Sequence, residues 1–270
     1  MTSHPNCKIN LGLHVTVRRT DGYHELETVF LPIPLCDTLT IEPSDSFSFS
    51  QSGITVDCPA EQNICVKAYR TMRSEYPQIG NVSIHLDKHI PFGAGLGGGS
   101  SDAAQTIMML NRLFALGLDS RQMCDIAVKL GADCPFFILN RPCFATGIGD
   151  QLEPVEFQFP PFGLQLTLLK PPVSVSTAEA YRGIVPKKSS IDLKIAIKEP
   201  PTKWRDIIAN DFETTVFDRQ PAIAELKQML YNRGAVYASM SGSGSAVFGL
   251  FSKLPSVKLP YEIFRSGASN

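Results

Sequence analysis

The seven cysteines, at 7, 36, 58, 65, 124, 134 and 143, offer no pairing that can be read from spacing. Their number is odd, no CxxC occurs, and none stands with histidine at zinc-like intervals, which excludes a disulfide framework and a structural zinc site. Reduced thiols in a cytoplasmic protein are expected. Charge of one sign is also missing: 25 basic residues face 26 acidic ones, for a formal net charge of −1. Nothing in that balance draws the chain as a whole to nucleic acid or to an anionic membrane, so neither is expected as a partner. No apolar run is long enough to cross a bilayer, and the start, MTSHPNCKIN, lacks the apolar stretch of a signal peptide. Repeats and low-complexity tracts are absent too. The spacing leaves the oligomeric state open.

What the chain does have is 270 residues, enough for one large or two modest domains. Residues 7–17 alternate apolar and polar, the period of a half-buried strand. Asp21-Gly22 supplies turn chemistry before a second strand over Glu25–Ile33. Short strands are predicted at Thr38–Glu42, Ser46–Ser50, Ile54–Asp57 and around Val82–Leu86, with a helix from near Asn63. Ser120 is placed to cap a helix, and Gly131 to end it in the left-handed conformation. The proline-rich stretch Glu153–Pro161 marks the expected domain junction, dividing the chain into 1–153 and 154–270. Beyond it come a strand over Leu164–Leu169, a Ser176/Glu179 capping box, helices over Thr202–Val216 and Ala222–Asn232, and strands at Val236–Met240 and Ala246–Phe251. Strands first and helices following predict an α+β arrangement.

Chemistry is concentrated in one loop, Pro91-Phe92-Gly93-Ala94-Gly95-Leu96-Gly97-Gly98-Gly99-Ser100-Ser101, which runs into an apolar helical stripe through Ala103, Ile107 and Leu110. Gly93, Gly95 and Gly98 match the dinucleotide fingerprint literally, but that motif needs an acidic residue closing the next strand, and Asp119 opens a helix. Walker A is excluded because no lysine follows the glycines, and the HRD and DFG signatures of protein kinases are missing. Bare amides at the entrance of a helix form a phosphate cradle, to which Ser100 and Ser101 add hydroxyl donors or Mg²⁺ ligands. Asp102 would repel phosphate, so its carboxylate must face elsewhere or toward Mg²⁺. A closely packed loop is the alternative reading.

The same stretch resembles the second motif of the GHMP kinases (galacto-, homoserine, mevalonate and phosphomevalonate kinases). Two segments, "CKINLGLHVTVRRTDGYHELETVF" and "GADCPFFI", are similar to one branch of that family, and "SMSGSGSAVFGLF" to its third motif. The resemblance runs from about residue 7 to 251. It implies the two-domain GHMP kinase fold, an N-terminal ribosomal-protein-S5-like domain and a C-terminal ferredoxin-like domain, with the active site in the interdomain cleft. For the branch it implies ATP- and Mg²⁺-dependent phosphorylation of the 2-hydroxyl of a cytidine diphosphate-linked methylerythritol, in the non-mevalonate route to isoprenoids.

Carried over by motif, the catalytic lysine is Lys8 and the catalytic aspartate Asp133, with Asp133 taking the hydroxyl proton and Lys8 keeping the carboxylate ionised. Cytosine is expected between the rings of Tyr23 and Tyr181, with His24 on its edge and Asn10 and Thr177 orienting the substrate. Asn63 and Lys88 are candidates for the adenine pocket. Cys134, beside Asp133, is read as packing.

Overall fold

The computed structural model describes residues 1–55 and 58–266. The chain opens with strands β1 (Thr2–Ser3), β2 (Asn6–Arg18), β3 (His24–Cys36), β4 (Thr38–Pro43) and β5 (Ser48–Gly53). Helix α1 (Ile64–Glu75), strand β6 (Val82–Lys88) and helices α2 (Gly98–Leu113), α3 (Ser120–Ala127) and α4 (Cys134–Leu139) follow. Next come β7 (Cys143–Thr146), β8 (Gln151–Pro154), β9 (Gln165–Leu169), α5 (Thr177–Tyr181), α6 (Leu193–Ala196) and α7 (Pro201–Ile207). Helices α8 (Phe212–Arg219) and α9 (Pro221–Asn232) and strands β10 (Tyr237–Met240), β11 (Val247–Phe251) and β12 (Glu262–Arg265) complete it.

Two compact units form, and neither is one continuous stretch of chain. Unit 1 comprises 1–8, 32–92 and 97–141; unit 2 comprises 9–31, 93–96 and 142–270. A junction near residue 153 is what the prolines suggest, yet the first strands contribute residues 9–31 to the unit that holds the C-terminal half.

Unit 1 is built on a sheet ordered β1-β4-β6-β5. Leu39 and Ile41 of β4 lie opposite Leu86 and Ile84 of β6, and β5 pairs parallel with β6 through the crossover helix α1. Along β6 the strand period buries Val82, Ile84, Leu86 and then Lys88 on one face. A cation thus occupies a position the pattern reserves for an apolar side chain.

In unit 2 an antiparallel sheet runs β10-β11-β9-β12. Its core gathers Leu169, Met240, Val247 and Phe251 with Phe212 and Val216 of α8, Ile223 and Leu230 of α9, and Leu13 and Val15 of β2. Thr28, Val29 and Phe30 of β3 pair with β7 in a second sheet, β2-β3-β7-β8.

Several expectations are corrected. The helix foreseen over Thr202–Val216 is broken into α7 and α8. At the break Asn210 donates through Nδ2 to the carbonyls of Met240 and Gly242, and its Oδ1 accepts from Phe212 N. Leu13 of β2 bonds on either side, to Ala209 O and from Asp211 N. These long-range bonds outweigh the modest helix propensity of the segment. The cap of α3 is Asp119, whose carboxylate accepts from Gln122 N while Gln122 returns the bond, so Ser120 is the first helical residue. Gly131 does not take a left-handed conformation. Ile54 and Thr55 are not in a strand, and Val56 and Asp57 lie outside the described residues. The Ser176/Glu179 capping box forms as expected. No helix among the described residues is long and apolar enough to cross a membrane.

Candidate active site

Unit 1 brings Lys8 and Asp133 together from positions 125 apart in sequence. Strand β2 is buried on both faces here: Cys7 and Ile9 are fully buried and Lys8 is only 4% exposed. Nζ of Lys8 lies 3.3 Å from Oδ2 of Asp133. Asp133 is the residue before α4, and its carboxylate makes no capping bond to that helix, which leaves it aimed at the lysine. A buried ammonium requires such a counter-charge, because desolvation of an unpaired ion is prohibitive.

Gly97, at the end of the glycine loop, lies beside Lys8 in the same unit. Gly93, Gly95 and Gly97 adopt positive φ (62°, 75° and 68°), a conformation that costs an L-residue about 1–2 kcal/mol. A Cβ on Gly97 would come 3.1 Å from Cε of Lys8 and 2.9 Å from the ring of Phe137. The lysine stem therefore runs directly against this turn. Helix α2 starts at Gly98, so Gly98, Gly99 and Ser100 form its first turn and point orphan amides outward. Ser101 N is already bonded to Gly97 O, and its side chain is buried, so Ser100 is the more accessible hydroxyl. Ala94 and Leu96 are buried and Phe92 is 68% exposed. Within unit 2, Ala94 O accepts from Ala246 N and Gly95 O accepts from the Ser241 hydroxyl. The loop's apolar side chains thus anchor it, and backbone is what it offers to a ligand.

Asp102 turns away from the phosphate side. Its Oδ2 accepts from Lys88 Nζ at 2.8 Å, and Lys88 also donates to Asp37. Burial pushes the Asp102 carboxyl up to about 7, with Lys88 opposing and the like charge of Asp37 adding to the rise. The folded protein therefore holds this proton at pH values where the unfolded chain, with an ordinary value of 3.8, has lost it. The resulting stabilisation is complete below about pH 4 and is lost as pH rises through 7. Asp102→Asn is expected to gain stability relative to the parent between pH 5 and pH 8, measured by urea unfolding at both. An unchanged difference would refute the assignment.

Lys88 is thus engaged in a buried cluster, contrary to its expected place in an adenine pocket. Asn63 likewise serves as the cap of α1, accepting from Cys65 N at 2.9 Å. Beside them, a cavity of about 300 Å³ opens between Phe49, Gln51, Gly53, Thr55 and Cys58. Cys134 is buried and its thiol is pushed up to about 12, chiefly by burial, which fits packing and not reactivity.

Unit 2 assembles the other expected residues. Tyr181 stacks on His24 with centroids 4.7 Å apart and planes 20° apart, while its edge meets Phe212. The ring laid on Tyr181 is therefore His24, and Tyr23 stands 60% exposed in a turn held by Arg19 to Asp21 and Glu25. Burial, then the charge of Arg18, lowers the His24 pKa and favours the neutral imidazole. Thr177, one turn before Tyr181 on α5, has its hydroxyl 3.4 Å from that of Ser243. Asn10 is buried, donating through Nδ2 to Thr28 and through its backbone N–H to Ser241. Its Oδ1 faces the turn: a Cβ on Gly242 would lie 3.3 Å away. Ser241 and Ser243 lie in the segment that resembles the third motif, whereas Asn210 carries no signal in the sequence.

No group of three His, Cys, Asp or Glu among the described residues could cage a metal ion.

Two family models match the chain, "GHMP kinases N terminal domain" over residues 63–141 and "GHMP kinases C terminal" over 196–265. The 4-diphosphocytidyl-2-C-methyl-D-erythritol kinase of Parabacteroides distasonis is 49% identical over 94% of this chain and 92% of its own length. A crystal structure of 4-(cytidine 5'-diphospho)-2C-methyl-D-erythritol kinase superposes with a TM-score of 0.80 at 35% identity, covering 93% of this chain and 90% of that one. The mevalonate kinase of Methanococcus jannaschii, 14% identical, shares the fold with a TM-score of 0.68 over 93% of this chain and 90% of its own. A glycine turn feeding a helix, set against a buried lysine paired with a half-exposed aspartate, is thus found in a chain that belongs to the GHMP kinases. Within that class its family is that of the 4-diphosphocytidyl-2-C-methyl-D-erythritol kinases.

Proposed function

We propose that this chain transfers the γ-phosphoryl group of ATP to the 2-hydroxyl of 4-diphosphocytidyl-2-C-methyl-D-erythritol, in the non-mevalonate route to isoprenoid precursors. The observation that carries the reading is the Lys8–Asp133 pair lying against the Gly97 turn. Amides at the α2 entrance hold the β- and γ-phosphates. Asp133 accepts the proton of the substrate hydroxyl as its oxygen attacks the γ-phosphorus, and ADP leaves with the bridging oxygen. Lys8 pairs with the carboxylate and offsets the negative charge that develops on the acceptor. Bound Mg²⁺ would neutralise phosphate charge, and Ser100 would be its protein ligand at the α2 entrance. The cavity bordered by Phe49, Thr55 and Cys58 takes the adenine. Cytosine stacks on Tyr181, displacing or sharing that face with His24, and Tyr23 closes over it. Thr177 and Asn10 orient the polyol diphosphate. The reaction runs in the cytoplasm.

A coupled assay for ADP tests this directly. Release is expected only when the cytidine diphosphate substrate accompanies ATP; turnover of mevalonate or homoserine instead would overturn it. Tyr181→Ala is expected to raise KM for the cytidine substrate by about tenfold or more, from the loss of a stacking face, with KM for ATP unchanged. Equal effects on both constants would remove the stacking role.

A further inference from the structure

We propose that the buried Asp37–Lys88–Asp102 cluster positions the entrance of α2 and so sets nucleotide affinity without touching the nucleotide. The inference rests on the reading that the Gly97–Ser101 turn binds phosphate. Lys88 is 2% exposed, and its ammonium lies beneath the first residue of the helix: a Cβ on Gly98 would sit 3.0 Å from Nζ and 2.8 Å from Cγ2 of Ile90. Four residues on, along the same helix face, Asp102 accepts from the same Nζ at 2.8 Å. Lys88 is thereby clasped between two points on the first turns of α2. From the opposite side Asp37 accepts from Lys88, and its other oxygen collects His89 N at 2.5 Å and Ile90 N at 2.7 Å. The end of β6, the lysine head and the start of α2 are locked in one network.

Stability alone does not account for this arrangement. Three apolar side chains of similar volume would serve a core at least as well as a buried ion cluster. Moreover Oδ1 of Asp102 is buried with no hydrogen-bond partner, a cost the fold carries without local return. What the charges add is direction: bonds of fixed geometry that hold a glycine backbone, which has no side chain of its own to be gripped, at one height and tilt.

Steady-state kinetics with both substrates varied tests the proposal. Asp102→Ala is expected to raise KM for ATP about tenfold while kcat stays within about twofold and KM for the cytidine substrate is unchanged. Asp102→Asn, which keeps an oxygen for Lys88, is expected to restore KM for ATP. Should the alanine variant not fold, Asp37→Asn removes the opposite anion yet keeps an acceptor for His89 and Ile90, and the same selective rise is expected. A normal KM for ATP in these variants, or parallel changes in kcat and both KM values with a falling Tm, would overturn the positioning role. Direct titration of ATP onto Gly97→Ala separates the underlying reading: parental affinity there would mean that the turn does not bind phosphate, whatever Asp102 does.

Discussion

Asp133→Asn is expected to lower kcat by about 10²- to 10⁴-fold with ATP affinity retained, the range typical of removing a positioned proton acceptor. Asparagine preserves size and polarity but cannot hold the hydroxyl proton, and it gives Lys8 no counter-charge at 3.3 Å. Lys8→Met should fall in the same range, because the stem remains against the Gly97 turn while the charge is gone. The double variant should lose little more than either single one, since the two act as a unit. Single-turnover measurements with saturating ATP read the chemical step itself. Turnover within about threefold of the parent in either single variant would dismiss the pair as the reacting centre.

The second large effect concerns stability. Gly95→Ala is expected to cost on the order of 4 kcal/mol, enough to unfold a marginal protein. At Gly95, φ is +75°, and a Cβ would fall 2.0 Å from the carbonyl oxygen of Ser241 and 3.2 Å from Gly244 N. Both obstacles are backbone, so neither can swing aside. Gly93→Ala is the internal control. Its φ of +62° carries conformational strain of about 1–2 kcal/mol, but nothing lies within 4 Å of the added atom. Denaturant unfolding of the two should separate them clearly. Equal losses would mean that the contact with the Ser241 turn does not constrain the loop.

Local signals carried well into three dimensions, and long-range ones did not. Alternation marked β6, and reciprocal capping marked α5, because each rests on neighbours within a few residues; β2 is a strand as its alternation predicts, but it is buried on both faces from Cys7 to Val15 and not half-buried. The segment at Asn210 reads as helix because nothing local opposes it; its partners are carbonyls at 240 and 242 and the backbone of Leu13. Helix α4 has no readable period in the sequence, since six residues containing Pro135 are too few to separate helix from strand. Strands β7 and β8, four residues each, fall below the same limit.

The site divides in the same way. The glycine loop's positive-φ backbone is legible from its residues, and its phosphate role is the one proposed above. Lys8 and Asp133 are legible only through the family resemblance, because no spacing rule joins positions 8 and 133. The stacking of His24 on Tyr181 was not foreseen: sequence identifies rings but not which of two adjacent ones is turned inward. Lys88, a candidate for the adenine pocket by resemblance, is instead held by Asp37 and Asp102.

The hydrophobic interior that includes Leu13 and Val15 of β2 has a practical bearing on how the molecule can be dissected. A polypeptide beginning at residue 142 would lack Leu13 and Val15 of that interior, the buried Ala94 and Leu96, and the backbone partner of Ala209 and Asp211. Such a fragment should be insoluble or molten when produced alone, and should recover order only when a peptide covering residues 9–31 is supplied in trans.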